Sequence, residues 1–116
     1  MKCEKLDVWK MSARLSSDVY KAFASCKDFG FKDQITRSGL SIPSNIAEGM
    51  EKSSLKEQIR FLDIAKGSAA EFATQTYIGM DIGYISYQEG KVWLDKADHI
   101  LSMLSKLQQN LSCRST

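Results

Sequence analysis

Apolar residues recur along this chain at the spacing of a helix face, in four separate runs. Over residues 8–26, Val8, Met11, Leu15, Val19, Ala22, Phe23 and Cys26 fall on one side, widened by Trp9, Ala13, Ser16 and Tyr20. Lys10, Arg14, Ser17 and Lys21 share the opposite face, so the run predicts an amphipathic helix, with the glycine of "KDFGF" as its stop. Over 32–50, Ile35, Gly39, Ile42, Ile46 and Gly49 form a second stripe. A third covers 54–82, where Ile59, Leu62, Ala65, Ala69, Phe72, Ala73, Thr76 and Met80 make a broad arc and Ser54 with Glu57 matches a capping box. "DIGYISYQEG" interrupts it, and the fourth run, 88–111, carries Trp93, Ala97, Ile100, Leu101, Leu104, Leu107 and Leu111. No alternation long enough for a sheet competes. The pattern predicts an all-α, antiparallel up-down four-helix bundle, one domain over residues 1–116.

The only proline, Pro43, lies in the second run, in the stretch "IPSNIAEG". It can start a helix or sit inside one, where it would deprive the carbonyl four residues back of its donor. The stripe passes through Pro43 in phase, which favours one helix kinked near it. Gln34, Ser38, Ser41, Asn45 and Glu48 also keep phase and present amide, hydroxyl and carboxylate groups on one face. Three uses stay open for that face: solvation, hydrogen bonding to another helix or subunit, and contact with RNA. Gly67, in the middle of the third run, either permits a close helix contact or is simply tolerated, at roughly 1 kcal/mol.

Composition agrees with a globular protein: 116 residues, 43% hydrophobic, 26% charged, one proline and seven glycines. No apolar run is long enough to span a membrane, and the first residues lack a signal-peptide core. Three cysteines, Cys3, Cys26 and Cys113, include no CxxC, and the expected compartment is the cytoplasm. Cys26 reads as a small buried hydrophobe, and Cys3 and Cys113 lie near ends expected to fray.

Net charge is only +2 and is spread evenly. Nucleic-acid binding would therefore need a local patch or a surface built by an oligomer. The candidates are Lys10, Arg14 and Lys21 in the first helix, Lys32, Arg37 and Lys52 in or beside the second, and Lys56 and Arg60 in the third. Solvated surface, phosphate contact and salt bridges between subunits are the competing uses. No catalytic set stands out. His99 is the only histidine, with Asp95 one turn earlier, and there is no HExxH, ExxH, GxGxxG or Walker loop. No enzymatic activity, metal or cofactor is expected.

"LDVWKMSARLSSDVY", "DQITRSGLSIPSNIAEG", "KEQIRFLDIAKGSAAEFATQ" and "IGYIS" occur in this order over about residues 6–110. Together they resemble the four-helix bundle proteins encoded by intervening sequences of bacterial 23S ribosomal RNA genes, also called S23 ribosomal proteins. "SIPSNIAEG" followed by "RFLDIAKGS" is the most specific part. The resemblance implies an antiparallel four-helix bundle, a ring-shaped pentamer and no catalytic residues. It also implies likeness to the accessory variability protein of diversity-generating retroelements, which binds nucleic acid. The chain departs from the family pattern at Thr36-Arg37-Ser38-Gly39, where paired arginines are usual, and at Lys52, where arginine is frequent. The resemblance makes the polar face of the second helix, Gln34, Ser38, Ser41, Asn45 and Glu48, a structural or interface motif, together with Pro43, Gly49 and Gly67. The wide arc of the third helix, with Trp9 and Tyr20 flanking the first stripe, indicates self-association. The expected function is a non-enzymatic oligomeric scaffold with RNA or DNA as candidate partner. The alternative is a protein-interaction module with no nucleic-acid role.

Overall fold

A computed structural model describes residues 1–114. Four helices account for most of them: α1 Asp7–Ala22, α2 Phe29–Met50, α3 Leu55–Asp81 and α4 Tyr87–Arg114. Each packs on its neighbours in the order α1, α2, α3, α4, and α4 returns to α1, with no packing across the diagonals. The result is a four-cornered antiparallel bundle, 49 × 20 × 20 Å, with no strand among the described residues. The α2–α3 side is the most extensive and the α1–α4 side the most open.

The phased stripes meet in the centre. Leu15, Ile35, Ile42, Ile46, Leu62, Phe72, Ile100 and Leu104 are completely buried. Burying each side chain of this size stabilises the fold by about 1.5–3 kcal/mol. An aromatic series crosses one end of the core. Phe31 lies 5.8 Å from Phe23, Phe23 lies 6.3 Å from Trp93, and Trp93 lies 6.0 Å from Phe72, all tilted. Such offset geometry suits the ring quadrupoles.

Helix boundaries differ from the sequence pattern mainly around residues 23–30. α1 ends at Ala22, not 26, and Ala22 itself is exposed. Gly30 is not the stop but lies in the first turn of α2. The reason is Asp28, whose Oδ1 accepts from the Phe31 N–H at 3.1 Å and caps α2. The chain must turn before that cap. Phe23 stays buried and Cys26 half-buried in the turn. Cys3 is a second correction: it is fully buried, and burial pushes its thiol pKa up. The segment before α1 is held by the Lys2 N–H, which donates to the Glu51 carboxylate at 3.0 Å.

α2 stays helical through Pro43 without a break. α3 starts at the Ser54 cap expected from the capping box, with the Glu57 N–H donating to Ser54 Oγ at 3.2 Å. α4 starts on the same S-x-x-E signal, unread in the sequence: Ser86 Oγ accepts from the Glu89 N–H at 3.1 Å. α3 ends in a Schellman motif. The Tyr84 N–H reaches the Gly79 carbonyl at 2.8 Å and the Gly83 N–H that of Met80 at 3.2 Å, with Gly83 at φ 82°. That left-handed position explains the glycine there.

The turn after α3 is tied to the start of α2. Tyr84 Oη donates to Asp28 Oδ2 at 2.9 Å, and its ring meets Phe31 edge-on. The Phe31 N–H first, then the Tyr84 hydroxyl, hold the Asp28 carboxyl below its ordinary pKa. A depressed folded-state value means stabilisation that is present above the unfolded value, about 4, and is lost as pH falls through the folded one. Asp28→Ala should therefore lower the urea midpoint at pH 7, and the gap to the wild type should narrow as pH is taken below about 4. A gap that stays constant through that range would show that the carboxylate does not couple to folding.

Candidate nucleic-acid interface

The eight basic candidates do not share one surface, and their surroundings divide them. Phe61 is almost buried, and its ring is covered by two of them: Lys52 Nζ lies 4.9 Å and the Arg60 guanidinium 4.7 Å from its centre. Arg60 also donates from Nε to Glu57 at 2.6 Å, which lowers the Glu57 pKa. These two cations are engaged in cation–π packing at the start of α3. Arg37 pairs with Asp33 one turn earlier on α2 at 3.0 Å, with both side chains well exposed. Lys32 Nζ donates to the Ala24 carbonyl at 3.3 Å and closes the α1–α2 turn. Lys56, in the first turn of α3, is exposed and lies in no ion pair among the described residues.

Lys10, Arg14 and Lys21 share one face of α1. All three are exposed, and no ion pair among the described residues includes them. With Ser17 they form a single i, i+4, i+7, i+11 ridge along α1. The ridge lies opposite the buried stripe of Val8, Leu15 and Val19, as the sequence pattern set it. Ser17 lines a groove of about 420 Å³ between α1 and α2, together with Trp9, Ala13, Tyr20, Leu40 and Pro43.

The polar face of α2 has a clear use. Ser38 Oγ donates to Gln75 Oε1 at 2.6 Å, and Ser41 Oγ lies 2.7 Å from Ser68 Oγ. Asn45 Nδ2 donates to the Ser41 carbonyl at 2.8 Å and to Ser41 Oγ at 3.0 Å, holding that hydroxyl in place. A Cβ on Gly49 would lie 2.9 Å from Phe61 Cβ and 3.4 Å from the Gln58 carbonyl oxygen, so α2 and α3 approach closely there. Ser38 with Gln75, Ser41 with Ser68, and Gly49 with Phe61 step along the two helices in opposite directions. The face is thus a polar seam between α2 and α3.

Pro43 faces the other way, into the α1–α2 groove. Gln34 and Glu48 are exposed. Of the two readings of Gly67, the close helix contact is not made: no described residue would meet a Cβ there. The α3 partners Phe61, Ser68 and Gln75 were not assigned to the seam from sequence. Their spacing of seven, which repeats one helix position every two turns, was the available signal.

The other surfaces offer less chemistry. His99 and Asp95 are both exposed on α4. Among the described residues no cluster of His, Cys, Asp or Glu could hold a metal ion. The α1–α4 groove, near Asp18, Lys21, Glu89 and Lys96, mixes both charge signs. No helix among the described residues is long and apolar enough to cross a membrane.

The seam residues lie in the segments that carry the family resemblance, and residues 4–106 match the family described as 23S rRNA-intervening sequence protein. The chain belongs to this family. A protein of unknown function from the S23 ribosomal protein family of Bacteroides thetaiotaomicron VPI-5482 has a similar structure. Its TM-score is 0.82 at 26% identity, over 87% of this chain and 97% of that one. No curated protein matches this chain.

A family member with this seam should show coupling across it. Ser41→Ala or Ser68→Ala alone strands a half-buried hydroxyl and should cost about 1 kcal/mol, while the double variant should cost clearly less than the two singles combined. Urea unfolding of the three variants measures this, and strict additivity would mean the hydroxyls do not interact. Gly49→Ala would set a methyl against Phe61 Cβ and the Gln58 carbonyl, which can give way only if α2 and α3 move apart, and should cost about 1–3 kcal/mol. Gly67→Ala, in open space, should stabilise an isolated bundle by about 0.5–1 kcal/mol.

Proposed function

We propose that this family member is a non-enzymatic, self-associating four-helix scaffold that binds nucleic acid through the α1 ridge. The observation that carries the reading is the ridge itself: Lys10, Arg14 and Lys21 exposed, aligned and in no ion pair among the described residues. Eleven residues of helix set its ends roughly 16 Å apart, at 1.5 Å per residue. That is a span of several phosphates along one strand. Three cations give weak binding per chain. Self-association repeats the ridge and raises the effective concentration of each further contact.

Apolar exposure supports self-association. On α3, Ile64 is 39%, Tyr77 63% and Ile78 47% exposed, and Gly67 is open to solvent. The pentamer is the form that the family resemblance implies. The competing reading is a module that recruits another protein through the same α3 strip, with the basic residues serving solubility alone.

Salt separates the two readings. Each phosphate neutralised contributes about −0.7 to the slope of log K against log salt for a single strand. Loss of Lys10, Arg14 and Lys21 together should flatten that slope by about 2 and weaken RNA binding at low salt. Binding measured by anisotropy across a salt series checks this, with light scattering alongside. No nucleic-acid binding by the wild type at low salt would leave the protein-recruiting reading ahead. A solution mass of 13.0 kDa, that of one chain, would contradict self-association.

A further inference from the structure

The groove between α1 and α2 is not accounted for by phosphate binding. Trp9, Ala13, Tyr20, Leu40, Pro43 and Ala47 make its lining mainly apolar, with Ser16, Ser17 and Ser44 among them, and no carboxylate among the described residues lines it. Its volume, about 420 Å³, lies within the range of clefts that hold organic ligands. Tyr20 and Leu40 are 44% and 45% exposed, and Trp9 is half-buried at the groove edge. The core therefore leaves two aromatic side chains of α1 partly open to solvent, eleven residues apart on the same helix face. Ser17 belongs both to this lining and to the row formed by Lys10, Arg14 and Lys21. The groove thus meets the cation row at Ser17, with Lys10 and Arg14 exposed on the outer side of α1 and Lys21 also bordering the α1–α4 groove.

A buried aliphatic segment from another protein would use the groove but not the row beside it. A duplex would use the row but has no free base faces to offer the groove. A single strand uses both, because its phosphates follow a line of positive charge while its unpaired bases stack on aromatic rings.

We infer that the α1–α2 groove takes unpaired bases of single-stranded RNA, with Trp9 and Tyr20 as stacking surfaces and Lys10, Arg14 and Lys21 along the phosphates. This inference rests on the nucleic-acid reading above and narrows it to strands with free bases. Stacking tolerates every base, so the groove discriminates single strand from duplex and not one sequence from another.

The test uses the full chain, a fluorescently labelled mixed-sequence RNA of about 20 nucleotides, long enough to exceed the site sizes of single-strand binders, and the duplex of the same sequence. Wild type should prefer the single strand, and Trp fluorescence should fall as it binds. Trp9→Leu and Tyr20→Leu keep apolar bulk but remove the ring. Each should weaken single-strand binding between about 5-fold and about 100-fold, the loss of one stacked base, and leave duplex binding unchanged. Tyr20→Phe keeps the ring and should bind like the wild type. Tyr20 is the more exposed of the two, so its variants keep the test valid if Trp9→Leu fails to fold.

Unchanged single-strand binding in Tyr20→Leu would overturn the inference, as would equal losses for single strand and duplex. A drop to the mass of one chain in either leucine variant, with RNA binding retained, would overturn it in favour of a second copy in the groove. If both RNA forms bind equally and both fade when Lys10, Arg14 and Lys21 are removed, the groove inference fails while the ridge reading stands. If no RNA binds at all, the ridge reading fails first.

Discussion

The close approach of α2 to α3 is the constraint on which the rest of this bundle depends. At Gly49 there is no room for a side chain against Phe61. Farther along, Ser41 meets Ser68 and Ser38 meets Gln75. Small residues allow two backbones to approach, and the buried Ser38 and half-buried Ser41, Ser68 and Gln75 then need partners for their polar groups. Each pair also fixes a register. Sliding α2 by one turn would put Ser38 where Ser41 now stands and leave polar groups unmatched. Among the described residues no buried side-chain nitrogen or oxygen lacks a partner, which is the outcome such a seam requires.

Fixing α2 against α3 also decides which surfaces are left for partners. Phe61, pressed against Gly49, is covered by Lys52 and Arg60, so those cations are engaged in packing. Pro43 is turned to the α1 side, where it helps form an apolar groove. The unpaired cations that remain in a row are those of α1, next to that groove. The distribution of positive charge on this protein thus follows from helix packing as much as from composition, and a net charge of +2 says little about where anions would be held.

Much of this was legible in the chain. Helical periodicity located all four helices, because burial of one face imposes it directly; Ile35, Ile42, Ile46, Trp93, Ala97, Ile100 and Leu104 are buried as their spacing requires. Ends were less legible. α1 stops early because Asp28 caps the next helix, a local hydrogen bond that competes with continuation and leaves no trace in the apolar period. The polar face of α2 was visible as a face, but its use was not, since serine and asparagine suit solvent, another helix or RNA equally well. Only the positions of Ser68 and Gln75 across from it decide between them. The basic residues were hardest: Lys10 and Arg60 look alike in sequence, and only the Phe61 ring and Glu57 beside Arg60 separate them. Cys3 looked peripheral from its place in the chain, yet the segment before α1 folds back and buries it.

The central claim is that packing reserves the α2–α3 side for the bundle itself and leaves the α1–α2 side for nucleic acid. Hydrogen exchange of the full chain, read by mass spectrometry with and without saturating single-stranded RNA, tests it most directly. The account predicts slowed exchange in peptides from α1 and from the part of α2 that faces it, residues 37–47, with α3 residues 61–75 unchanged. Protection confined to α3 or α4, with α1 exchanging as it does in the free protein, would contradict it.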